Sequence, residues 1–162
     1  MVRLRDLQPG DAGWIIGRHG ALYAAEHGLD ASFELDVADV MIGILRGFDP
    51  TQDHAVIAER HGAPVGSAFV VRAGDGVAKL RLVIVDPTAR GLGVGRLLVQ
   101  SCIDFARASG YTKITLWTMG MLTAARHIYA TSGFVRVAAI SGCSYGRDIT
   151  DETWELVLSD LA

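Results

Sequence analysis

Apolar and polar residues divide this chain into short stretches of differing period. "VRLRDL" (Val2 to Leu7) alternates apolar with charged positions, the pattern of a half-buried strand. Asp11 is placed to cap a helix from Ala12 to about His27, although Gly13, Gly17 and Gly20 interrupt it. Phe33, Val37, Val40, Ile44 and Leu45 then recur at helical spacing, predicting a second helix from Ser32 to Arg46. "HAVIAER", "APVGSAFVVR" and "VAKLRLVIV", separated by "HG" and "AGDG", predict three antiparallel strands joined by glycine turns. Residues 95 to 109 separate into an apolar stripe (Leu98, Cys102, Phe105) and a polar one (Arg96, Gln100, Asp104, Arg107), with Gly110 as the stop. "KITLWTM" predicts a strand, Leu122 to Ser132 a short helix ended by Gly133, and "VRVAAI" and "TWELVL" the closing strands. The result is an α+β layout: a mixed, mostly antiparallel sheet of about seven strands flanked by about four helices.

The 162 residues suit one domain, 1–162, large enough to bury a real core. A formal net charge of −3 supplies no basic footprint for nucleic acid. Charges fall too early in "MVRLRDLQPGD" for a signal peptide, and no apolar run nears the ~18 residues of a membrane span. Cys102 and Cys143 lack disulfide or zinc spacing. A reduced, cytoplasmic protein without a metal is expected.

"VDPTARGLGVGRLLVQ" carries the chemistry. Gly91, Gly93 and Gly95 alternate at a helix entrance, between Arg90 and Arg96. Each glycine inside a helix costs about 1 kcal/mol relative to alanine, so such a cluster needs a reason. The first amides of a helix have no internal partner and sit at the positive end of its dipole, and glycine clears an anion's approach to them. A flexible turn is the plainer reading; the flanking arginines and the Asp86-Pro87 stop favour a pyrophosphate cradle. "GVGRLL" lacks the GK[ST] of a P-loop, and the dinucleotide fingerprint would need glycine at Arg96 or Leu98.

"VIVDPTARGLGVGRLL" resembles motif A of the GNAT family of N-acetyltransferases, with Arg90, Gly93 and Gly95 at its [R/Q]xxGxG/A positions, and "LTAARHIYATSGF" resembles motif B. "GDAGWIIGRHGALYAAEHG", "KITLWT" and "TWEL" are similar to the acetyltransferase half of bacterial proteins fused to a MarR-type DNA-binding domain. The resemblance implies the GNAT fold and acetyl-CoA as co-substrate. Arg90, Gly91, Leu92, Gly93, Val94, Gly95 and Arg96 would hold its pyrophosphate. Val83, Ile84 and Val85 would present backbone groups to the pantetheine arm where the fourth and fifth strands part. A bulge there would aim one amide at the thioester carbonyl.

Under the same resemblance Tyr129 is the general acid for the departing CoA thiolate, its phenol un-ionised across neutral pH. A lysine-like amine is neutral in only about one molecule in 2,500 at pH 7, so help with deprotonation is expected. The strand-five stretch "LWTMG" has no carboxylate, and Leu122 stands where motif B has asparagine. Glu26, His19, His27 or a water chain remain for the base; Tyr23 and Glu26, at i and i+3, would form one patch. His127 lies on another helix face from Tyr129. Trp14, Trp117 and Trp154 are core residues first and pocket residues second. The expected function is transfer of an acetyl group to an amine of a small molecule or protein by direct attack, a non-catalytic acyl-CoA sensor being the alternative. A structural partner of a DNA-binding subunit is weaker still. Acceptor, acyl length and oligomeric state, including a homodimer, stay open.

Overall fold

The structure is a computed structural model and describes residues 1–158. Chain order is β1 (Val2–Arg5), α1 (Asp11–His27), α2 (Ala31–Gly47), β2 (His54–Arg60), β3 (Ala63–Gly74), β4 (Val77–Val85), α3 (Val94–Ala108), β5 (Lys113–Met119), α4 (Thr123–Thr131), β6 (Val135–Ser144) and β7 (Arg147–Val157). A 3₁₀ turn, Pro87–Ala89, separates β4 from α3. The mixed, mostly antiparallel sheet expected from the sequence is present as seven strands in the order β1-β2-β3-β4-β5-β7-β6.

Two caps differ from expectation. Asp11 is not the cap of α1: Gly10 takes that position with φ 97°, and Asp11 is the first helical residue. Its carboxylate instead accepts from Arg5 Nη1 at 2.7 Å and from the Gln8 amide at 2.7 Å, locking β1 to α1. Helix α2 starts earlier than Ser32 because Asp30 caps it, accepting from the Ser32 amide at 3.0 Å. Its buried face is Phe33, Val37 and Met41, whereas Leu45 is exposed. Gly110 does act as the stop after α3, just past the cap Ser109. The Gly110 amide donates to Arg107 O and the Tyr111 amide to Ala106 O, a Schellman arrangement that needs the left-handed φ of glycine.

The last hairpin is longer than its sequence signal. "VRVAAI" extends to Ser144 and "TWELVL" begins as early as Arg147. Tyr145 (φ 56°) and Gly146 (φ 81°) make a two-residue turn between the paired Ser144 and Arg147. Two left-handed residues in a row are the type I′ geometry, whose twist matches that of the strands.

Among the described residues only β4 and β5 run parallel, and their pairing stops at Leu80–Leu116, leaving Arg81–Val85 without a described partner on that side. On the other side, Ser67 pairs with Ile84 but Phe69 with Arg81, so Leu82 and Val83 together oppose Ala68. This is a β-bulge, with Leu82 at φ 54° and its carbonyl accepting from the buried Ser67 hydroxyl at 2.7 Å. Helix α3 packs Leu98, Val99 and Cys102 on one face of the sheet with Ala78, Leu80, Ile114 and Leu116. Helices α1 and α2 cover part of the other face, where Ile15 and Met41 meet Ile57 and Phe69. The gap between β4 and β5 therefore opens between the two helical layers.

Candidate active site

The three loop glycines serve two purposes. Gly91 (φ 77°) and Gly93 (φ 75°) adopt a left-handed backbone, and a Cβ on either would meet nothing within 4 Å. Gly95 has no such φ; a Cβ there would lie 2.6 Å from Ile128 Cδ1, so this glycine lets α3 approach α4. The left-handed backbone accounts for glycine at Gly91 and Gly93, and close helix packing accounts for it at Gly95. None of the backbone amides from Gly91 to Arg96 donates a hydrogen bond to the described residues. These unpaired donors sit at the positive end of α3, with the exposed Arg90 and Arg96 on either side. That donor set fits a pyrophosphate.

A cavity of about 600 Å³ runs from this loop to β4, and nine of the ten expected cofactor-binding residues line it. Leu92 is the exception: it does not line the cavity and is 48% exposed. Helix α1 closes one side, tied to the loop by Arg18–Asp86 at 2.9 Å and Glu26–Arg90 at 2.7 Å. Asp86 itself caps the 3₁₀ turn by accepting from the Thr88 amide at 3.0 Å.

A second cavity of about 450 Å³ lies on the α2 side of the sheet. The two share Tyr23, Val83, Leu122, Ala125 and Tyr129 in their walls. Tyr129 is buried between the cavities, its ring packed near Phe134 and Trp154 at centroid distances of 5.9 and 6.4 Å. Burial pushes its phenol well above the ordinary value, so it is un-ionised throughout the neutral range and able to donate a proton. Tyr23, stacked on Phe33 at 4.7 Å, is pushed up to about 12 by burial, with the charge of Glu26 adding to the shift.

Helix α4 is held in register by a carboxylate that sequence reasoning missed. Glu152 on β7 is buried and accepts from Arg126 Nε at 2.9 Å, Trp154 Nε1 at 2.9 Å and Arg136 Nη1 at 3.3 Å. These donors keep it below the usual carboxylate range despite burial. Its sequence neighbourhood, "TDETWEL", reads as an ordinary alternating strand.

The candidate bases are dispersed. His19 lines the second cavity. It is 3% exposed, and its Nδ1 lies 2.7 Å from Ile15 O, which can only accept, so Nδ1 carries the proton and Nε2 the lone pair. Burial lowers its pKa to about 4. Glu26 and His27 line the first cavity instead, and Arg90 holds the Glu26 carboxylate below its ordinary range. His127 is exposed beside the glycine loop. Tyr23 and Glu26, expected to form one patch, do line the first cavity together, and Tyr23 reaches the second cavity as well. Trp14 and Trp154 pack in the core; Trp117 lines the second cavity and donates to Asp151 Oδ1 at 3.0 Å.

Tyr145, at the β6–β7 turn, is a cavity residue that the sequence did not reveal. Its hydroxyl donates to Asp36 Oδ2 at 2.9 Å, its carbonyl accepts from the Asp30 amide at 3.0 Å, and Arg147 donates to His27 O. The turn is thereby fastened over α2. Among the described residues no cluster of metal-ligating side chains occurs, and no helix is long and apolar enough to cross a membrane.

The profile of the Acetyltransferase (GNAT) family matches residues 22–134, from the middle of α1 to the end of motif B. The chain belongs to that family. Over 114 residues it is 31% identical to an uncharacterized N-acetyltransferase of Schizosaccharomyces pombe, covering 69% of each chain. It is 30% identical over 146 residues to a mycothiol acetyltransferase of Gordonia bronchialis, covering 88% of this chain and 39% of that protein. It is 32% identical over 110 residues to an N-acetylaspartate synthetase of Danio rerio, covering 67% of this chain and 38% of that protein. The chain thus spans about two-fifths of the length of the latter two.

Solved structures share the fold at lower identity. A Salmonella typhimurium protein described as an acetyltransferase, solved with its cofactor acetyl-CoA, superposes with a TM-score of 0.79 at 20% identity, covering 99% of this chain and 96% of that one. A ribosomal-protein-alanine N-acetyltransferase from Brucella melitensis gives 0.78 at 20% identity, covering 96% and 99%. This is the GNAT fold, in keeping with the chain's membership of the Acetyltransferase (GNAT) family.

Proposed function

We propose that this GNAT domain transfers an acetyl group from acetyl-CoA directly to an amine, in the cytoplasm, with Tyr129 as the proton donor. One observation carries the reading: a cavity floored by unpaired helix amides meets a second, separate cavity at Tyr129 and Val83. The amides of Gly91 to Arg96, with Arg90 and Arg96, bind the pyrophosphate. Val83 to Val85, freed from β5 pairing, offer their backbone to the pantetheine arm. The bulge at Leu82–Val83 turns one amide out of the β3 ladder, where it donates to the thioester oxygen as charge develops there.

The amine enters through the second cavity and attacks the thioester carbon. The CoA sulfur leaves with the bonding pair, and the Tyr129 hydroxyl supplies its proton. Among the described residues no carboxylate lines the junction of the cavities, so the amine's own proton leaves through water, and His19 Nε2 stands in the second cavity as an acceptor for a hydrogen bond. The resemblance of "GDAGWIIGRHGALYAAEHG", "KITLWT" and "TWEL" to MarR-fused acetyltransferases supports the further proposal that such domains are among its kin.

Calorimetric titration of acetyl-CoA into wild type and Gly93→Glu tests the first half. Binding that the added carboxylate abolishes supports the cradle, and absence of binding to wild type overturns the reading. Tyr129→Phe tests the second half: turnover, followed by thiol release, falls by about 10²- to 10⁴-fold while acetyl-CoA affinity holds. Unchanged turnover removes Tyr129 from the mechanism.

A further inference from the structure

Lys79 and Arg81 lie two residues apart on β4, hence on one face of the strand, and both line the second cavity together with His19, Trp117 and Tyr129. Both are half-buried. Burial lowers the pKa of each, and the like charge of Arg81 lowers that of Lys79 further; no carboxylate among the described residues acts on either. Two adjacent cations, partly stripped of water and unpaired among the described residues, are unfavourable by themselves. An anion between them removes both the repulsion and the desolvation deficit, and the planar guanidinium fork of Arg81 matches a carboxylate in two-point contact.

The cavity's carboxylates lie on a different element. Asp36 and Asp39 line it from α2, both exposed, and Asp36 is engaged by the Tyr145 hydroxyl at 2.9 Å. The cavity thus has a cationic floor on β4 and an acidic rim on α2, with aromatic walls that include Tyr23 and Trp117. A rim of that sign draws in an ammonium group, and the floor holds an acid group. The fastened β6–β7 turn and a volume of about 450 Å³ suit a small molecule better than a protein segment.

Position along β4 sets the spacing. Arg81 lies two residues before Val83 at the cavity junction, with the bulge between them. We infer that the acceptor is a small amine bearing a carboxylate a few bonds from its nitrogen, as in a free amino acid, with Arg81 and Lys79 binding that carboxylate. This rests on the transferase reading above.

The test is a calorimetric titration of CoA-saturated protein with a panel of free amino acids, each paired with its uncharged carboxamide. Amino acids that bind about 10- to 100-fold more tightly than their amides support the inference, the range expected for a hydrogen bond to a charged group. Loss of that preference in Arg81→Gln, with partial return in Arg81→Lys, assigns it to the cation; Lys79→Gln is the second variant should Arg81→Gln not fold. Equal binding of acid and amide overturns the inference, as does failure of every amino acid to bind. Either failure leaves the transferase reading intact so long as acetyl-CoA binds wild type; if acetyl-CoA does not bind, that earlier reading falls instead.

Discussion

Arg90 Nη2 donates to Glu26 Oε1 at 2.7 Å, so the arginine of the glycine loop is already engaged by a carboxylate of α1. The pair is half-exposed, the Arg90 side chain at 52% and Glu26 at 35%, which places it among weak, screened ion pairs. Its effect falls on the ligand more than on the fold. Glu26 adds a negative charge beside the proposed pyrophosphate site and competes for the same guanidinium.

Glu26→Gln is therefore expected to tighten acetyl-CoA binding by about two- to fivefold, the scale of an exposed ion pair. The gain should shrink as salt is raised. Calorimetry at low and high ionic strength checks both. Weaker binding would show that Glu26 orients Arg90 for the ligand.

Gly95 and Ile128 form the contact between α3 and α4. Gly95→Ala forces Ile128 Cδ1 to move, since the new Cβ would lie 2.6 Å from it. Overpacking of this kind costs about 1–3 kcal/mol, and the displaced helix carries Tyr129. Thermal melts should show the loss, and the double variant Gly95→Ala/Ile128→Val should recover most of it by removing that methyl. A double variant no better than the single one would mean the contact is not the cause.

How much of this could be read from the sequence depended on how local each signal was. The glycine loop was legible because its whole logic, unpaired amides beside two arginines, sits within seven residues of chain, Arg90 to Arg96. Even there the packing reason for Gly95 is not local, since the Ile128 side chain that a Cβ would meet lies on another helix. The hairpin turn Tyr145–Gly146 hid inside "SGCSYGRD", where small and polar residues mask the alternation of a strand exposed almost throughout its length. Asp11 looked like a cap because capping residues and ion-pair residues are the same types; only the distance to Arg5 separates them. That Lys79 and Arg81 both line a cavity depends on how α2 and the β6–β7 turn lie over that side of the sheet, a tertiary arrangement with no local signature.

Glu152 collects three donors from α4, β6 and its own strand, so its removal should loosen the seating of Tyr129 as well as the sheet. Glu152→Gln keeps the volume but loses charge and leaves part of the donor set unmatched. A cost of about 1–3 kcal/mol is expected, toward the lower end because Arg126 and Arg136 keep access to water. The sign with pH follows from its lowered pKa: the stabilisation is present above the ordinary carboxylate range and fades as pH falls through the folded value. Urea unfolding of wild type and variant should thus converge in acid. A constant gap down to pH 2 would locate the effect in packing alone.

His19 titrates in the opposite sense to a paired histidine. Its pKa is lowered from 6.5 to about 4 by burial, so the folded protein keeps it neutral where the unfolded chain would protonate it. Between those two values the unfolded state binds more protons, and stability rises with pH. Going from pH 7 to pH 4 should cost on the order of 3 kcal/mol from this residue. Above pH 7 it contributes no further slope. His19→Gln removes the titration, and its urea midpoint should fall less than that of wild type between pH 7 and pH 4.5. Equal falls in the two proteins would show that His19 opens to water before it charges. In that case its Nε2 would not be held as a dry lone pair against the acceptor cavity.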